Sequence, residues 1–267
     1  MTISEWVERS RKYIDRLDAE VILTHYLQAH DRSYLVAHDD EELPDNIQQA
    51  CDTMLAARMR GKPLAYILGY KEFYGRRFIV TPEVLIPRPE TEDIIDLAKA
   101  AKPKNIVDVG TGSGCIAITL ALELPNAEIT AIDISDTALS VAQKNAKQLG
   151  AKIDFRKNDL VAGLALPEKP LIIANLPYVD KTWNWLDKNS LSYEPQLALY
   201  AQQEGLELIY RLIDQLDNPC RLLLEADPSQ HEQIKKYAKL HGFSFRKSRN
   251  FILSFAKNKT AHANIKA

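Results

Sequence analysis

The sequence predicts an α/β fold in which a mixed, mostly parallel sheet carries helices on both faces, preceded by a small helical domain. From residue 105 onward, short runs of apolar and β-branched residues alternate with helical segments, which is typical of a parallel sheet. Near residue 250, two strand-like runs follow each other with no room for a helix between them, so one strand must run antiparallel. Before residue 61, apolar residues recur at helical spacing.

Two amphipathic segments predict the helical domain. Their apolar residues recur at i, i+3, i+4, i+7 and i+8, and they are Ala19, Ile22, Leu23, Tyr26 and Leu27, then Ile47, Ala50, Cys51, Met54 and Leu55. The next stretch, "KEFYGRRFIVTPEVLIPRPETE", has a Tyr-Gly-Arg turn between two phenylalanines and then several prolines, which indicates a hairpin and a connector. We therefore predict a helical domain over 1–70, a hairpin and connector over 71–92, an α/β domain over 93–258 and a frayed tail over 259–267.

The strands of the α/β domain are predicted at five separate runs and one consecutive pair. The five runs are "NIVDVGT", "AEITAIDIS", "KIDFRKND", "PLIIANLP" and "RLLLEAD", and the pair is "FSFRKSRN" and "FILSFAK". In a parallel sheet, ligands bind in the crevice outside the carboxyl ends of the strands. Glycines and polar residues that follow these strands are therefore the candidates for a functional site.

Composition and charge narrow the function classes. The formal net charge is -2 over 267 residues, so no overall positive field attracts nucleic acid, and no local basic patch is evident. The first residues lack the apolar core of a signal peptide, and no run approaches the roughly 18 apolar residues of a membrane helix. The three cysteines lie far apart, which favours core positions over a zinc site or disulfides. We expect a cytoplasmic, monomeric protein without a metal ion, a membrane contact or direct nucleic-acid binding.

Three glycines at alternate positions follow the first of these strands. The stretch "VDVGTGSGCIAITLALEL" predicts a strand, a tight turn with Gly110, Gly112 and Gly114, and an apolar helix. A dinucleotide-binding fingerprint would place its third glycine where this chain has Cys115. The G-x-G-x-G spacing instead resembles the first motif of class I S-adenosylmethionine methyltransferases. A purely structural turn is the alternative.

Two acidic residues end the next two strands. Asp133 in "AIDIS" lies where a carboxylate can accept both hydroxyls of a ribose, although Asp133 or Ser135 could instead be the N-cap of the following helix. Asp159 in "KNDL" is placed to accept from an adenine amine, with Leu160 against the ring. A turn formed by an Asn-Asp pair explains these residues nearly as well.

The segment "NLPYVD", which begins at Asn175, follows the fourth strand and lies beside the same crevice. It resembles the "(N/D)PP(Y/F)" signature of enzymes that methylate planar amines and amides. Such a nitrogen has a delocalised lone pair, so it must be held with that pair aimed at the methyl group. The Asn175 oxygen and the Leu176 carbonyl can each accept one N–H, while Tyr178 stacks on the acceptor. Leu176 keeps the carbonyl but lacks the ring that fixes the turn in the signature, and an ordinary strand-to-loop turn is the alternative.

Together these motifs resemble the HemK/PrmC family of protein-(glutamine-N5) methyltransferases, which modify the Gly-Gly-Gln glutamine of class I release factors. The resemblance runs from the helical start almost to the C-terminus, and its distinctive stretches are "GKPLAYILGYKEFYG", "VLIPRPETE", "VDVGTGSG", "NLPYV" and "YEPQLAL". It implies the fold of a class I S-adenosylmethionine-dependent methyltransferase, Rossmann-like with a mixed seven-stranded sheet. It also implies a helical domain that recognises a class I peptide chain release factor, and a connector that brings Arg88, Pro89, Glu90 and Thr91 beside the cofactor.

The residue patterns and the resemblance together predict two sets of site residues. Contacts with the cofactor S-adenosyl-L-methionine are expected at Gly110, Thr111, Gly112, Ser113, Gly114, Asp133, Asp159, Leu160 and Asn175. Catalysis and binding of the glutamine amide are expected at Asn175, Leu176, Pro177 and Tyr178. The family usually has Pro at the position of Leu176 and often an aromatic residue at that of Leu160. Two residues near the predicted site have simpler interpretations. Arg88 could form a surface ion pair with Glu90, and Glu194 could cap a loop.

Two other functions are weighed against this one. Some rRNA adenine dimethyltransferases share the Asn-Leu-Pro-Tyr variant, but they begin close to their glycine motif and carry basic surfaces. In this slightly acidic chain the motif begins only at Gly110. A catalytically silent binding module is disfavoured because Asp133, Asn175, Pro177 and Tyr178 occur together.

Overall fold

A computed structural model of the protein describes residues 1–183 and 188–258, so the predicted frayed tail lies outside the described residues. The described chain divides into two compact units. The first consists of Met1–Tyr70 and a short segment that ends at Tyr193, and the second consists of the other described residues from Lys71 onward. Within the part of the chain that the structure describes, no helix is both long and apolar enough to cross a membrane.

The first unit is helical, with α1 (Ile3–Ser10), α2 (Arg16–Tyr26), α3 (Ser33–Ala37), α4 (Asp45–Met59) and α5 (Leu64–Leu68). A capping box begins α1, because the Thr2 hydroxyl accepts the Glu5 N–H and the Glu5 carboxylate accepts the Thr2 N–H. The predicted apolar faces of α2 and α4 meet around Trp6, which is fully buried and donates its indole N–H to Asp52 at 2.8 Å. Burial of such a side chain stabilises the fold by about 1.5–3 kcal/mol.

A two-stranded hairpin follows, formed by β1 (Tyr70–Phe73) and β2 (Arg76–Ile79). Its turn residues Tyr74 and Gly75 have φ values of 48° and 71°, the left-handed conformation that tight hairpin turns favour. The buried rings of Phe73 and Phe78 pack edge to face with centroids 6.1 Å apart. The chain then passes through a short 3-10 helix, Pro89–Thr91, and enters the main sheet domain.

The main sheet has seven strands in the order β5-β4-β3-β6-β7-β9-β8. They are β3 (Asn105–Val109), β4 (Glu128–Asp133), β5 (Asp154–Lys157), β6 (Leu171–Ala174), β7 (Cys220–Glu225), β8 (Phe243–Arg249) and β9 (Ile252–Lys257). Strands β3 to β7 are parallel to one another, whereas β9 runs antiparallel to both β7 and β8. The predicted mixed sheet with one antiparallel strand is therefore confirmed.

Helices cover both faces of this sheet, as the nearly continuous apolar strands require. They are α6 (Glu92–Ala101), α7 (Cys115–Glu123), α8 (Asp136–Leu149), α12 (Glu207–Gln215) and α13 (His231–Leu240). Two short helices, α10 (Gln196–Leu199) and α11 (Gln202–Gly205), lie between β6 and β7 in the chain, and α9 (Lys188–Leu191) belongs to the first unit. Alternate strand residues face opposite sides, so Ile106 packs with α6 and α7 whereas Val107 packs with α12 and α13. All three cysteines are buried, as predicted.

Strand β8 forms one edge of the sheet. Only Phe243 of this strand is buried, and the other six residues are exposed. Its pairing with β9 shifts register between Phe245 and Lys247, which marks a β-bulge.

Candidate active site

A cavity of about 410 Å³ lies at the carboxyl ends of the parallel strands, within the second unit. The predicted residues that line it are Gly110, Thr111, Gly112, Ser113, Asp133, Asp159, Leu160, Asn175, Leu176 and Pro177. Gly114 and Tyr178, which were also predicted, are not among the lining residues. A larger cleft of about 950 Å³ opens where β3, β4 and β5 begin, and none of the predicted site residues line it. We therefore take the smaller cavity as the candidate site.

The glycine turn connects β3 to α7 and adopts a left-handed backbone at each glycine, with φ values of 75°, 55° and 80° for Gly110, Gly112 and Gly114. The N–H groups of Gly110 and Thr111 both donate to the Ile132 carbonyl, at 2.8 and 2.9 Å, which fixes the turn against β4. A Cβ atom at Gly110 would lie 3.0 Å from the Leu176 side chain, so this glycine permits the close approach of the loop after β6.

Two of these glycines provide a matched test of the turn. Gly112→Ala places a methyl group where no atom lies within 4 Å, whereas Gly114→Ala places one 2.8 Å from Ile118 and 3.1 Å from Ala142. Both substitutions strain a left-handed residue by roughly 1–2 kcal/mol. We expect Gly114→Ala to lower the free energy of unfolding by about 1–3 kcal/mol more than Gly112→Ala, because only the former overpacks a helix contact.

Gly112→Ala should instead weaken ligand binding in the cavity, because its methyl group enters the space that the turn borders. Urea unfolding and calorimetric titration with the cofactor would separate the two effects. Equal losses of stability in both variants, or unchanged binding in Gly112→Ala, would contradict this description of the turn.

Asp133 ends β4 and accepts two backbone hydrogen bonds. Its Oδ2 accepts the Gly112 N–H at 2.9 Å and its Oδ1 accepts the Ser135 N–H at 3.0 Å. Burial raises the pKa of this carboxyl, and the two N–H donors oppose that shift. The N-cap of α8 is Ser135, whose hydroxyl accepts the Ala138 N–H, so the helix does not need Asp133 as its cap. A carboxylate has about four acceptor positions, so Asp133 keeps capacity for a ligand at the cavity.

Two buried polar residues support the turn and were missed in the sequence analysis. Asp108, within β3, is fully buried and accepts from the Thr111 hydroxyl at 2.6 Å, and burial raises its pKa to about 7. Asn145 of α8 donates to the Ser113 carbonyl and forms two hydrogen bonds with the backbone of Ile79. The charge of Asp108 in the apolar run "NIVDV" was a usable signal, whereas Asn145 lies in a helical segment with no local sign of its role.

The loop after β5 places Asp159 and Leu160 at the cavity. Asp159 forms an ion pair with Arg211 at 2.6 Å, and both side chains are about half exposed. Leu160 is buried with a left-handed φ of 53°, and the Asn158 side chain donates to its carbonyl at 3.2 Å. Asn158 therefore forms the turn that was the alternative interpretation, while Asp159 remains at the cavity with a cation beside it.

Asn175 and Leu176 directly follow β6. The Asn175 side-chain nitrogen donates to the Thr91 hydroxyl at 3.1 Å, which joins this loop to the connector. Leu176 is buried and packs over Gly110. The loop and the glycine turn consequently border the cavity from two neighbouring strands, β6 and β3.

Tyr178 lies behind the cavity. Its hydroxyl donates to Glu225 at 3.4 Å, and its carbonyl accepts from the Gln230 side chain at 2.9 Å. A Cβ atom at Gly205 would lie only 2.0 Å from that carbonyl, so any other residue there would displace the loop. Burial raises the pKa of Tyr178. Stacking of Tyr178 on an acceptor stays a prediction, and its supports Gln230 and Gly205 were missed in the sequence analysis.

The connector is held by a buried glutamate. Glu194 accepts from the Arg88 guanidinium at 2.6 Å and from the Ile86 N–H at 3.1 Å. Arg88 thus pairs with Glu194 and not with Glu90, which corrects the simpler expectation, whereas Glu194 does cap a loop. The stretches "VLIPRPETE" and "YEPQLAL" are joined by this contact.

Comparison with known proteins matches both units of the chain. Residues 8–69 match the family described as "PrmC N-terminal domain", and residues 92–186 match the one described as "Methyltransferase small domain". The release factor glutamine methyltransferase of Neisseria gonorrhoeae is 39% identical over 252 residues, with 91% of each chain covered. The chain belongs to the release factor glutamine methyltransferase family. The Escherichia coli member of that family is 36% identical over 236 residues, with 85% of each chain covered.

The fold agrees with this family membership. The catalytic domain of hMettl16, solved with the MAT2A 3'UTR hairpin 1, superposes with a TM-score of 0.55 over 82% of each chain. At 16% sequence identity, this likeness concerns the fold alone. The predicted class I methyltransferase fold and the predicted resemblance to this enzyme family are both confirmed.

Proposed function

We propose that this chain transfers a methyl group from S-adenosyl-L-methionine to the side-chain amide nitrogen of the Gln in the Gly-Gly-Gln motif of a class I peptide chain release factor. The observation that carries the proposal is that the glycine turn, Asp133 and the Asn175 loop border one cavity in a member of the release factor glutamine methyltransferase family. The cavity volume of about 410 Å³ is in the range of small-molecule sites.

The proposed cofactor site uses the residues on the β3 and β4 side of the cavity. Space beside Gly112 and the remaining acceptor capacity of Asp133 suit a nucleoside whose ribose hydroxyls donate to a carboxylate. Ile134 and Leu160 offer apolar surface for the adenine. The bound sulfonium supplies an electrophilic methyl group.

The proposed acceptor site uses the loop after β6. The Asn175 Oδ1 atom and the Leu176 carbonyl would each accept one N–H of the glutamine amide, which aims the nitrogen at the methyl carbon. The nitrogen forms a bond to that carbon as the carbon–sulfur bond breaks, and one N–H proton then leaves to solvent. Positioning of the nitrogen is the main contribution required of the protein, because the leaving group is neutral after transfer.

The proposed role of the helical unit is to hold the body of the release factor. Its support is the match of residues 8–69 to the family described as PrmC N-terminal domain. The Gly-Gly-Gln loop suits a recessed site because neither glycine has a side chain to clash at the mouth. With a translation factor as substrate, the proposed compartment remains the cytoplasm.

Mass spectrometry of a release factor incubated with the protein and labelled S-adenosyl-L-methionine tests the proposal. We expect one added methyl group on the Gln of the Gly-Gly-Gln loop. A release factor with that Gln replaced is the control and should stay unlabelled. Label on rRNA adenine with an unmodified release factor would instead support RNA methylation, and no label on any macromolecule would support a silent binding module.

A further inference from the structure

Glu225 is a buried carboxyl group at the end of β7 that lines no part of the cavity. It is 1% exposed, and its Oε2 atom has no hydrogen-bond partner among the described residues. Its Oε1 atom accepts a long hydrogen bond from the Tyr178 hydroxyl at 3.4 Å, and the side chains of Thr91 and Asn175 also lie within hydrogen-bonding reach of the carboxyl group. None of the ion pairs within the described residues includes Glu225. A buried carboxyl group without an ion pair is costly, so its presence beside the Asn175 loop calls for a role.

Three donor groups surround Glu225. The side chains of Thr91, Tyr178 and Asn175 all lie close enough to lower its pKa, although burial outweighs them and raises it to about 7. The charged or titratable groups that face it are Glu90 from the 3-10 helix, which raises its pKa further, the Tyr178 phenol and the Cys115 thiol at the start of α7. Among the charged groups near Tyr178, Arg88 lowers the pKa of its phenol and Asp227 raises it.

The direction of one hydrogen bond connects these groups to the proposed reaction. The Asn175 Nδ2 atom donates to the Thr91 hydroxyl, so Oδ1 is the atom of that amide left to accept a hydrogen bond from another group. A hydroxyl that accepts from Asn175 keeps its own hydrogen to donate to another group, and the Glu225 carboxyl group lies within reach of it. A carboxylate has no hydrogen to offer, so it can only accept from Thr91.

We propose that Glu225 is a positioning residue which, through Thr91, fixes the side-chain amide of Asn175 with Oδ1 available to the substrate. This inference rests on the proposed function, because only an N–H-bearing substrate needs Oδ1 as an acceptor. Protonated Glu225 would no longer fix the direction of the hydrogen bond with Thr91, because a carboxylic acid can donate as well as accept. A flipped Asn175 amide would point its NH2 group, which can only donate, at the substrate amide, whose own N–H groups need an acceptor.

A matched pair of glutamate variants tests the role of Glu225. Glu225→Gln always carries N–H donors, so it should behave at every pH like the protonated wild type. We expect its kcat at pH 8.5 to be about tenfold lower than wild type, the worth of one hydrogen bond of ordinary strength. The affinity for S-adenosyl-L-methionine should stay within a fewfold of wild type. The wild-type kcat should fall as the pH drops through about 7, and this limb of the profile should be absent in Glu225→Gln.

Control variants separate this role from a structural one. Glu232→Gln makes the same chemical change on the exposed face of α13 and should leave the pH profile unchanged. Thr91→Val keeps the shape but removes the hydroxyl, so it should lower kcat, and Thr91→Ser should recover most of the activity that Thr91→Val loses. An unchanged pH profile in Glu225→Gln, or equal losses in Thr91→Val and Thr91→Ser, would overturn the inference.

Nuclear magnetic resonance gives a readout that needs no methyl transfer. The side-chain amide signals of Asn175, assigned by their loss in Asn175→Asp, should shift between pH 6 and 8 in the wild type but not in Glu225→Gln. Signals that do not move with pH, or that move equally in both proteins, would refute the role of Glu225 whatever the substrate. If they move as expected while no release factor is methylated, the proposed function fails and the hydrogen-bond chain stands.

Discussion

Replacement of Asn175 by Ala should lower kcat about a hundredfold or more, because it removes a positioned acceptor for the reacting amide. The structure adds that the side chain is anchored to Thr91 at 3.1 Å, so its oxygen is held in place before substrate binds. Cofactor affinity should change much less, since the glycine turn and Asp133 belong to other strands. Single-turnover methylation of a release factor and calorimetric titration of the cofactor would measure the two quantities.

The matched control lies at the next position. Leu176→Pro keeps the carbonyl, and among the hydrogen bonds of the described residues none is donated by the Leu176 N–H, so the substitution breaks none of them. Because it removes part of a buried side chain that packs over Gly110, we expect at most a fewfold loss of kcat. Full turnover by Asn175→Ala would refute the amide-binding role, and an inactive Leu176→Pro would show that the side chain of Leu176 matters beyond its backbone.

Replacement of Asp133 by Ala should weaken binding of S-adenosyl-L-methionine roughly ten- to hundredfold. Hydrogen bonds to a charged group are worth about 1.5–3 kcal/mol, which corresponds to that range. The loss could reach its upper end because the same carboxylate also holds the Gly112 N–H and so shapes the turn. Calorimetry at two pH values would add a check. Because the pKa of Asp133 is raised, its protonation should weaken cofactor binding at a higher pH than it would for a carboxylate with an ordinary pKa.

Asp136→Ala is the appropriate control for Asp133. It removes a carboxylate three positions along the chain, at the start of α8, where it forms an exposed ion pair with Lys157. Such pairs contribute little, so cofactor affinity should match that of the wild type. Equal binding by Asp133→Ala and Asp136→Ala would exclude Asp133 from the cofactor site.

The strands were predictable because their signal is local. Parallel strands buried on both faces need continuous apolar runs, and the runs at β3, β4, β6 and β7 became strands within a few residues of the expected bounds. The edge strand β5 was also found although it is more polar and mostly exposed. The antiparallel direction of β9 followed from the short distance between it and β8. The glycine turn was predictable for a similar reason, since three left-handed residues in a row of five strongly favour glycine.

The supports of the site were not predictable from local patterns. Thr91 and Asn175 are 84 positions apart in the chain, and Arg88 and Glu194 are 106 apart. Such pairs depend on how helices pack on the sheet, which periodicity does not specify. Glu225 also ends an apolar run, where sequence alone cannot separate a polar residue that lines a crevice from one buried behind it.

The α11 segment shows a second limit of sequence reasoning. Gln203, Glu204 and Gly205 are consecutive left-handed residues, an unusual conformation for the first two. Gln230 stabilises it by donating to the Glu204 carbonyl at 2.8 Å while it also holds Tyr178. Tertiary contacts thus impose the left-handed backbone of Gln203 and Glu204, which the local residue propensities do not predict.

The exposed edge strand β8 also bears on how this protein avoids aggregation. An edge strand offers unpaired N–H and C=O groups to which a second chain can add, and such a contact can propagate into an aggregate. On β8 the exposed residues Arg246 and Lys247 bring like charges to that edge, and the bulge after Phe245 breaks the regular spacing that an incoming strand must match. Neutral residues at Arg246 and Lys247 would leave the cavity intact yet remove this protection, so colloidal stability and catalysis depend on separate parts of the same sheet.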